Sequence, residues 1–298
     1  MTTQSMTGSL MRVLVCSPRD AGWERAEKAD GWRDLGFHHR PDFAKAQSEH
    51  EALCLLLAES GAEVDHLSPS EALTLDAVYT HDASLITDDG LILMRPGKPT
   101  RVAEARAHAD FCAQHGIPIL GEITPPGCTE AGDMVWLDPH TLLVGHGYRT
   151  NRAGIQQMRG LLGPKGVEVV SAPLPHGPGP AACLHLMSLM SMLDERTVLV
   201  DLAWLAVETV ELLCSQGFRL LGVDPGERDS LACNVLSLGG NRLIALEQNV
   251  GTNDRLREAG FDVRTFPGAE LCINGSGGPT CLTRPLRRDS VFPRCSRP

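Results

Sequence analysis

Five stretches of the chain share one alternation of apolar and polar residues: "LLLAESGAEVDHL", "HADFCAQHGIPIL", "MRGLLGPKGVEVVSAPL", "VELLCSQGFRLLGV" and "DRLREAGFDVRTF". Each closes a helix-like run, reaches a glycine, and restarts as an alternating or apolar segment rich in Val, Ile, Leu and Phe. Glycine adopts the left-handed conformation that ends a helix, and the residues that follow suit a strand. Short strands fill the intervals, in "MRVLVCS", "GLILMRP", "MVWLDPHTLLVGHG", "RTVLVD", "LACNVLSL" and "NRLIALEQ", with polar turns such as "DERT" and "GGN" between several of them. Five helix–glycine–strand units predict a closed, pseudo-symmetric arrangement with helices outside and strand ends converging inside. A two-layer α/β domain without internal symmetry is the alternative. No strong linker divides the chain, and the Pro/Gly-rich "SAPLPHGPGPAA" reads as an insertion or lid. The expectation is one domain over residues 11–290, with residues 1–10 and 291–298 as flexible tails.

Composition narrows the function classes. A length of 298 residues suits one large domain or two modest ones. The formal charge of -10 argues against a nucleic-acid partner, which usually demands a basic face. No apolar run is long enough to span a bilayer. The opening "MTTQSMTGSLMRVLVCSP" lacks the basic start and apolar core of a signal peptide. The ten cysteines show no repeated Cys-x-x-Cys spacing, and Cys54, Cys112 and Cys214 sit in helix-like runs. Most therefore read as buried thiols of a reduced, cytoplasmic protein.

A few polar residues sit where solvated surface does not explain them. Asp82, in "LDAVYTHDASLITDDG", either ends a strand with its carboxylate in a cleft or is a turn aspartate. Glu130 and Asp133 flank Gly132 ahead of an apolar strand, and a glycine there admits close approach of a ligand. Arg149 precedes a helix that Thr150 or Asn151 can cap; its guanidinium is free to hold a carboxylate of a substrate or of the protein. His185, within the apolar alternation of "CLHLMSLMSMLDE", is either a structural, hydrogen-bonded histidine or a reactive one. Cys281 stands on the small-residue turn of "INGSGGPTCLTRPLRR", which leaves a thiol accessible. A free cysteine titrates at about 8.5 and needs a neighbouring histidine or a bound cation to act as a nucleophile; one more buried thiol is the alternative. Arg95, Arg101 and Arg284 could each grip a substrate carboxylate or lie on the surface.

Taken in order, Asp82, "EAGD", "GHGYRTN", "CLHLMS" and "GSGGPTCLTRPL" resemble the guanidino-group-modifying enzymes of the pentein fold, from about Met11 to Arg288. That group includes dimethylarginine dimethylaminohydrolases, arginine deiminases and amidinotransferases. The resemblance implies a five-bladed α/β propeller, in agreement with the five units. It implies Cys281 as nucleophile, His185 as general acid and base, and Glu130 as the carboxylate that orients His185. It further implies Asp82 as the guanidinium clamp, with Asp133 and Arg149 as candidate substrate-binding or supporting residues; Arg95 joins them as a basic residue able to bind a substrate carboxylate. Ala131 replaces the first glycine of the usual Glu-Gly-Gly-Asp motif. Two departures bear on the substrate. Met187 follows "HL" where arginine deiminases carry a second clamp aspartate, and a thioether tolerates a methyl group but cannot pair with a cation. His81 precedes Asp82 where dimethylarginine hydrolases usually place a glutamate.

The main expectation is therefore hydrolysis of dimethylarginine to citrulline and dimethylamine through a thiouronium on Cys281. Amidino transfer to an amine, or deimination of arginine or a guanidino acid, are the alternatives, and a non-catalytic binding protein is the remote one. The partner is a small guanidino substrate, and the resemblance leaves room for a homodimer. No organic cofactor is called for, since "GLLGPKG" lacks the strand–glycine–helix order of a phosphate cradle. No metal is expected either, since "GFHHRP" and "YTHDAS" supply no Asp-x-His-x-Asp cluster.

Overall fold

The computed structural model describes residues 2–289. Its strands form five separate three-stranded sheets. Four of them repeat one contiguous plan. Strand β3 (Ser84–Thr87) pairs antiparallel with β4 (Gly90–Leu93), and a long helix, α2 (Val102–His115), then returns the chain so that β5 (Ile119–Glu122) pairs parallel with β4. The same order recurs in β6 (Met134–Asp138), β7 (Thr141–His146), α3 (Arg152–Leu162) and β8 (Glu168–Pro173). It recurs in β9 (Met190–Met192), β10 (Thr197–Val200), α4 (Val207–Ser215) and β11 (Arg219–Gly222). It recurs again in β12 (Leu236–Gly239), β13 (Arg242–Leu246), α5 (Val250–Glu258) and β14 (Asp262–Phe266). The fifth sheet is built from both ends of the chain. β15 (Arg284–Asp289) lies antiparallel to β1 (Ser9–Val15), and α1 (Phe43–Glu59) leads to β2 (Glu63–His66), parallel to β1. This is the five-bladed pentein propeller, and the asymmetric two-layer alternative falls.

The repeat has a local cause. Between each long helix and its parallel strand stands one of Gly61, Gly116, Gly166, Gly217 and Gly260, with φ of +92°, +65°, +77°, +80° and +97°. A side chain in that left-handed region is strained, so glycine ends the helix and turns the chain back to the sheet. The antiparallel strands β3 and β4 are buried at every position, whereas the parallel strand β5 is partly exposed. The hairpins thus lie inside and the helices outside. Helix α1 is capped by Asp42, whose side chain accepts the Lys45 N–H at 3.2 Å, and it buries Leu53 and Leu57 completely. Truncating either leucine to alanine should cost about 2–5 kcal/mol.

Some local expectations change. Residues 2–8 are no loose tail: Gln4, Ser5 and Thr7 are buried, and the Gln4 amide donates to the Pro139 carbonyl at 2.6 Å. Their polar side chains tie the segment across two blades. The other expected tail, 291–298, lies outside the described residues. "LACNVLSL" becomes a strand only from Leu236, because residues 231–234 form a turn. Among the described residues the cysteines are free, and no helix is long and apolar enough to cross a membrane.

Candidate active site

Each blade opens with a polar residue placed just ahead of its first strand: Asp82 before β3, Glu130 before β6, His185 before β9, Asn234 before β12 and Cys281 before β15. Residues at equivalent points of a closed repeat are delivered to the same end of the molecule. Four of the five line one cavity of about 640 Å³, and Glu130 lies directly behind it.

His185 is buried and leads a short turn over Leu186–Ser188. The turn is held at both ends: the Ser188 hydroxyl accepts the His185 N–H at 3.1 Å, and the Asp133 carboxylate accepts the Leu186 N–H at 2.9 Å. The ring Nε2 lies 2.7 Å from Glu130 Oε2. Its Nδ1 faces the cavity side, 3.8 Å from the Cys183 sulfur and 3.9 Å from Asp82 Oδ1. Burial alone would favour the neutral ring. The charges of Cys183, Asp82 and Asp133 outweigh it and hold His185 well above the usual histidine range. Gly132 makes the approach of these groups possible, since an added Cβ would sit 2.6 Å from His185 Nδ1 and 2.7 Å from Asp82 Oδ1. Ala131, by contrast, has an ordinary backbone angle and replaces a glycine without strain.

Glu130 is fully buried yet ionised. Burial pushes its carboxyl up, but the bonds to His185 and to Arg149, whose Nη1 lies 2.9 and 3.0 Å from its two oxygens, hold it well below the carboxylate range. The Gly97 N–H adds a further bond at 2.8 Å. Asp82 accepts the Gly132 N–H on Oδ1 at 3.1 Å and Arg101 Nη1 on Oδ2 at 2.7 Å. Each oxygen keeps a lone pair for another donor. Arg101 is itself clamped by Glu104, with two bonds of 2.8 Å, and by the Tyr79 carbonyl at 3.0 Å.

The Cys281 sulfur receives an N–H from Asn234 at 3.2 Å. The same amide accepts the Thr280 N–H at 2.9 Å and its hydroxyl at 2.7 Å, so Asn234 fixes both the turn and the thiol. Burial, with the nearby charges of Asp82 and Cys183, pushes Cys281 up to about 11; His185 and Asn234 oppose this. These surroundings favour the neutral thiol, and a cation against the sulfur would oppose them.

Other candidates are placed elsewhere. Arg95 points away from the cavity and donates to the Gly127 carbonyl and the Cys128 sulfur, both at 3.2 Å. Asp133 does not reach the cavity either; it braces the turn after His185. Arg284 is buried under His81. Met187 and His81, read as departures affecting substrate choice, face a separate space between the inner strands. The turn that presents His185 directs the next side chain but one into the core. Asp76, Lys98, Cys183, Asn234 and Arg228 line the cavity and were not singled out from the sequence. Of these, Asn234 had a readable signal: it holds the strand-entry position in its unit.

Asp82, Glu130 and His185 each place one potential ligand atom within 4.8 Å of the others. Two guanidinia, Arg101 and Arg149, already bond these carboxylates. That charge balance opposes a divalent cation there and suits proton transfer between the ring and its neighbours.

Comparison with known proteins points the same way. The arginine deiminase family matches residues 74–217 and 222–288. A relative named N(G),N(G)-dimethylarginine dimethylaminohydrolase, from Streptomyces coelicolor, is 28% identical over 251 residues, covering 83% of this chain and 88% of that protein. Among solved structures, dimethylarginine dimethylaminohydrolase of Pseudomonas aeruginosa in complex with citrulline superposes with a TM-score of 0.75 at 24% identity, over 92% of this chain and 98% of that one. The N-terminal domain of ArgZ, a cyanobacterial arginine dihydrolase bound to its substrate, gives 0.78 at 21% identity, over 93% and 98%. At these identities the two superpositions establish the fold.

Proposed function

The chain belongs to the arginine deiminase family, as a pentein-fold hydrolase acting on the guanidino group of an arginine-like substrate, and on that premise we propose that it deiminates arginine or a short guanidino acid through a covalent bond to Cys281. One observation carries the reading: a thiol, an imidazole and a carboxylate from three blades, Cys281, His185 and Asp82, line the same cavity. The catalytic unit is then the whole propeller, from β1 to β15, since every blade contributes.

The free lone pairs of Asp82 accept two N–H bonds from the substrate and fix the plane of its guanidinium. The bound cation draws Cys281 down from about 11, because its positive charge lies against the sulfur, and the thiol proton passes to solvent. The thiolate forms a bond to the central carbon, and the C=N electron pair moves onto nitrogen. His185 gives its proton to the departing nitrogen as the C–N bond breaks, so the leaving group is ammonia and not an amide anion. A thiouronium remains on Cys281. Neutral His185, oriented by Glu130, takes a proton from water as the oxygen bonds to carbon. The C–S bond then breaks, the thiolate returns, the hydroxyl on carbon gives its proton to solvent and a ureido product leaves.

Dimethylarginine as substrate is the second reading. The Streptomyces coelicolor relative carries that name, and about 640 Å³ leaves room for two methyl groups. The argument from Met187 no longer favours it, because that side chain is outside the cavity. A product screen over arginine, agmatine and dimethylarginine, with and without amine acceptors, tests both. Ammonia from arginine is expected; dimethylamine, or an amidino group passed to an amine, would replace the first reading. Neither product nor covalent adduct at Cys281 across the panel would sink catalysis at this site.

A further inference from the structure

Glu104 is a buried carboxylate that takes no part in the steps above. It stands in the first turn of α2, is 3% exposed, and lies behind the cavity rather than on its wall. Its two oxygens accept Nε and Nη2 of Arg101, at 2.8 Å each. Arg101 does line the cavity, and its Nη1 lies on Asp82 Oδ2 at 2.7 Å. The Tyr79 carbonyl accepts a further bond from Nη2 at 3.0 Å. One guanidinium thus joins two buried carboxylates, Glu104 by two bonds and Asp82 by one.

Charge gives this linkage a purpose. Arg101 alone would cancel the charge of Asp82, and a neutral pair attracts a further cation weakly. An ionised Glu104 offsets Arg101 and lowers the potential at Asp82 by one full charge, in a buried place where screening is slight. Other cations nearby are engaged elsewhere. His185 is 3.9 Å from Asp82 and bonds Glu130 at 2.7 Å. Lys98 is bonded to Asp76 at 3.0 Å. Arg284 senses Asp82 but bonds the Ser84 carbonyl and the His81 ring. Around Glu104 itself, burial pushes the Cys16 thiol up and His108, on the same helix, down to about 3, so both are neutral. Burial, with the charges of Asp76 and Asp82, pushes Glu104 up to about 7 against the pull of Arg101. Its charge is therefore complete in mildly alkaline solution and is lost as pH falls through neutrality.

We propose that Glu104 is a positioning residue for the substrate cation: by sharing Arg101 it restores to Asp82 the negative charge that Arg101 would otherwise cancel. The inference rests on Asp82 as the guanidinium clamp and adds the residue that keeps the clamp attractive. Geometry acts with charge. The two-bond fork fixes the plane of Arg101, and Arg101 with the Gly132 N–H fixes the carboxylate of Asp82.

The test measures binding by calorimetry on the whole chain carrying Cys281→Ser, so that nothing turns over. Arginine is the cationic probe and citrulline its counterpart with an uncharged ureido group. At about pH 8.5, adding Glu104→Gln should weaken arginine by about 10-fold or more and citrulline by less than about 2-fold. A merely structural defect would weaken both alike. The gap between the two chains should narrow as pH falls to about 6.5, where most of Glu104 is protonated; Asp133, the neighbouring raised carboxyl, titrates lower, at about 6. If the doubly substituted chain does not fold, Cys281→Ser alone still decides: its preference for arginine over citrulline should shrink about three-fold between those two pH values. Equal weakening of both probes, an unchanged arginine affinity, or a preference indifferent to pH overturns the proposal. Arginine that binds as expected but is not turned over by the unsubstituted chain removes the reaction and leaves the role of Glu104 standing.

Discussion

Arg101 and Arg284 are equally buried, at 3% exposure each, and electrostatically opposite. Arg101 sits between Asp82 and Glu104, and its charge is held firmly despite burial. Arg284 touches a carbonyl and a neutral imidazole, and burial weakens its charge. The first region is a guanidinium site already filled on one side by the protein's own guanidinium. Asp82 thus has the geometry for such a group before any substrate arrives. The second region is a buried cation with no carboxylate bonded to it among the described residues. Burial alone does not tell a binding site from an incomplete one; the partners do.

The largest effect that bears on this contrast is Cys281→Ser. Turnover should fall by about 10⁴-fold or more while the melting temperature barely moves; retention of most activity would remove the nucleophile from the paired region. Next comes Asp82→Asn, which removes one of the two carboxylates on Arg101 and leaves Glu104 as the other. We expect a stability loss of about 1–3 kcal/mol by denaturant unfolding, along with loss of activity. Arg284→Met should cost less than about 1 kcal/mol, because relief of a buried, unpaired charge offsets its two lost bonds. Equal costs for the two variants would erase the distinction between the regions.

Asn234→Ala should lower kcat/KM by about 10–100-fold, since both the turn and the N–H on sulfur are lost. It should also slow alkylation of Cys281, because that bond helps the thiolate. The smallest effect is a shift in the pH profile. His185 is raised, so its proton is present at neutral pH and is lost only as pH rises through the folded value. Activity should fall on the alkaline side. Cys183→Ala removes one of the groups that hold the proton and should move that fall to lower pH; an unmoved limb would separate Cys183 from the histidine.

The helix-ending glycines were legible because their cause is local: a left-handed residue at one chain position. Cys281, His185, Glu130 and Asp82 were legible from their order and surroundings. What escaped depends on direction. Arg95 and Arg149 read alike in sequence, yet only Arg149 turns toward Glu130. Met187 looked like a substrate contact because it follows the histidine closely, but the turn over Leu186–Ser188 sends its side chain inward. Asn234 hid in a stretch read as strand. The pairing of β15 with β1 has no local signature at all, and Arg284 looked like a carboxylate contact or a surface charge.

That pairing orders assembly. Four blades can form from neighbouring stretches of chain, but the fifth must join Ser9 to Asp289. Closing so long a loop is a costly, non-local step. The segment that makes it begins three positions after Cys281. Emerging from a ribosome, the polypeptide can therefore complete most of its architecture while Cys281 still lacks a frame. The cavity is whole only when the two extremities meet.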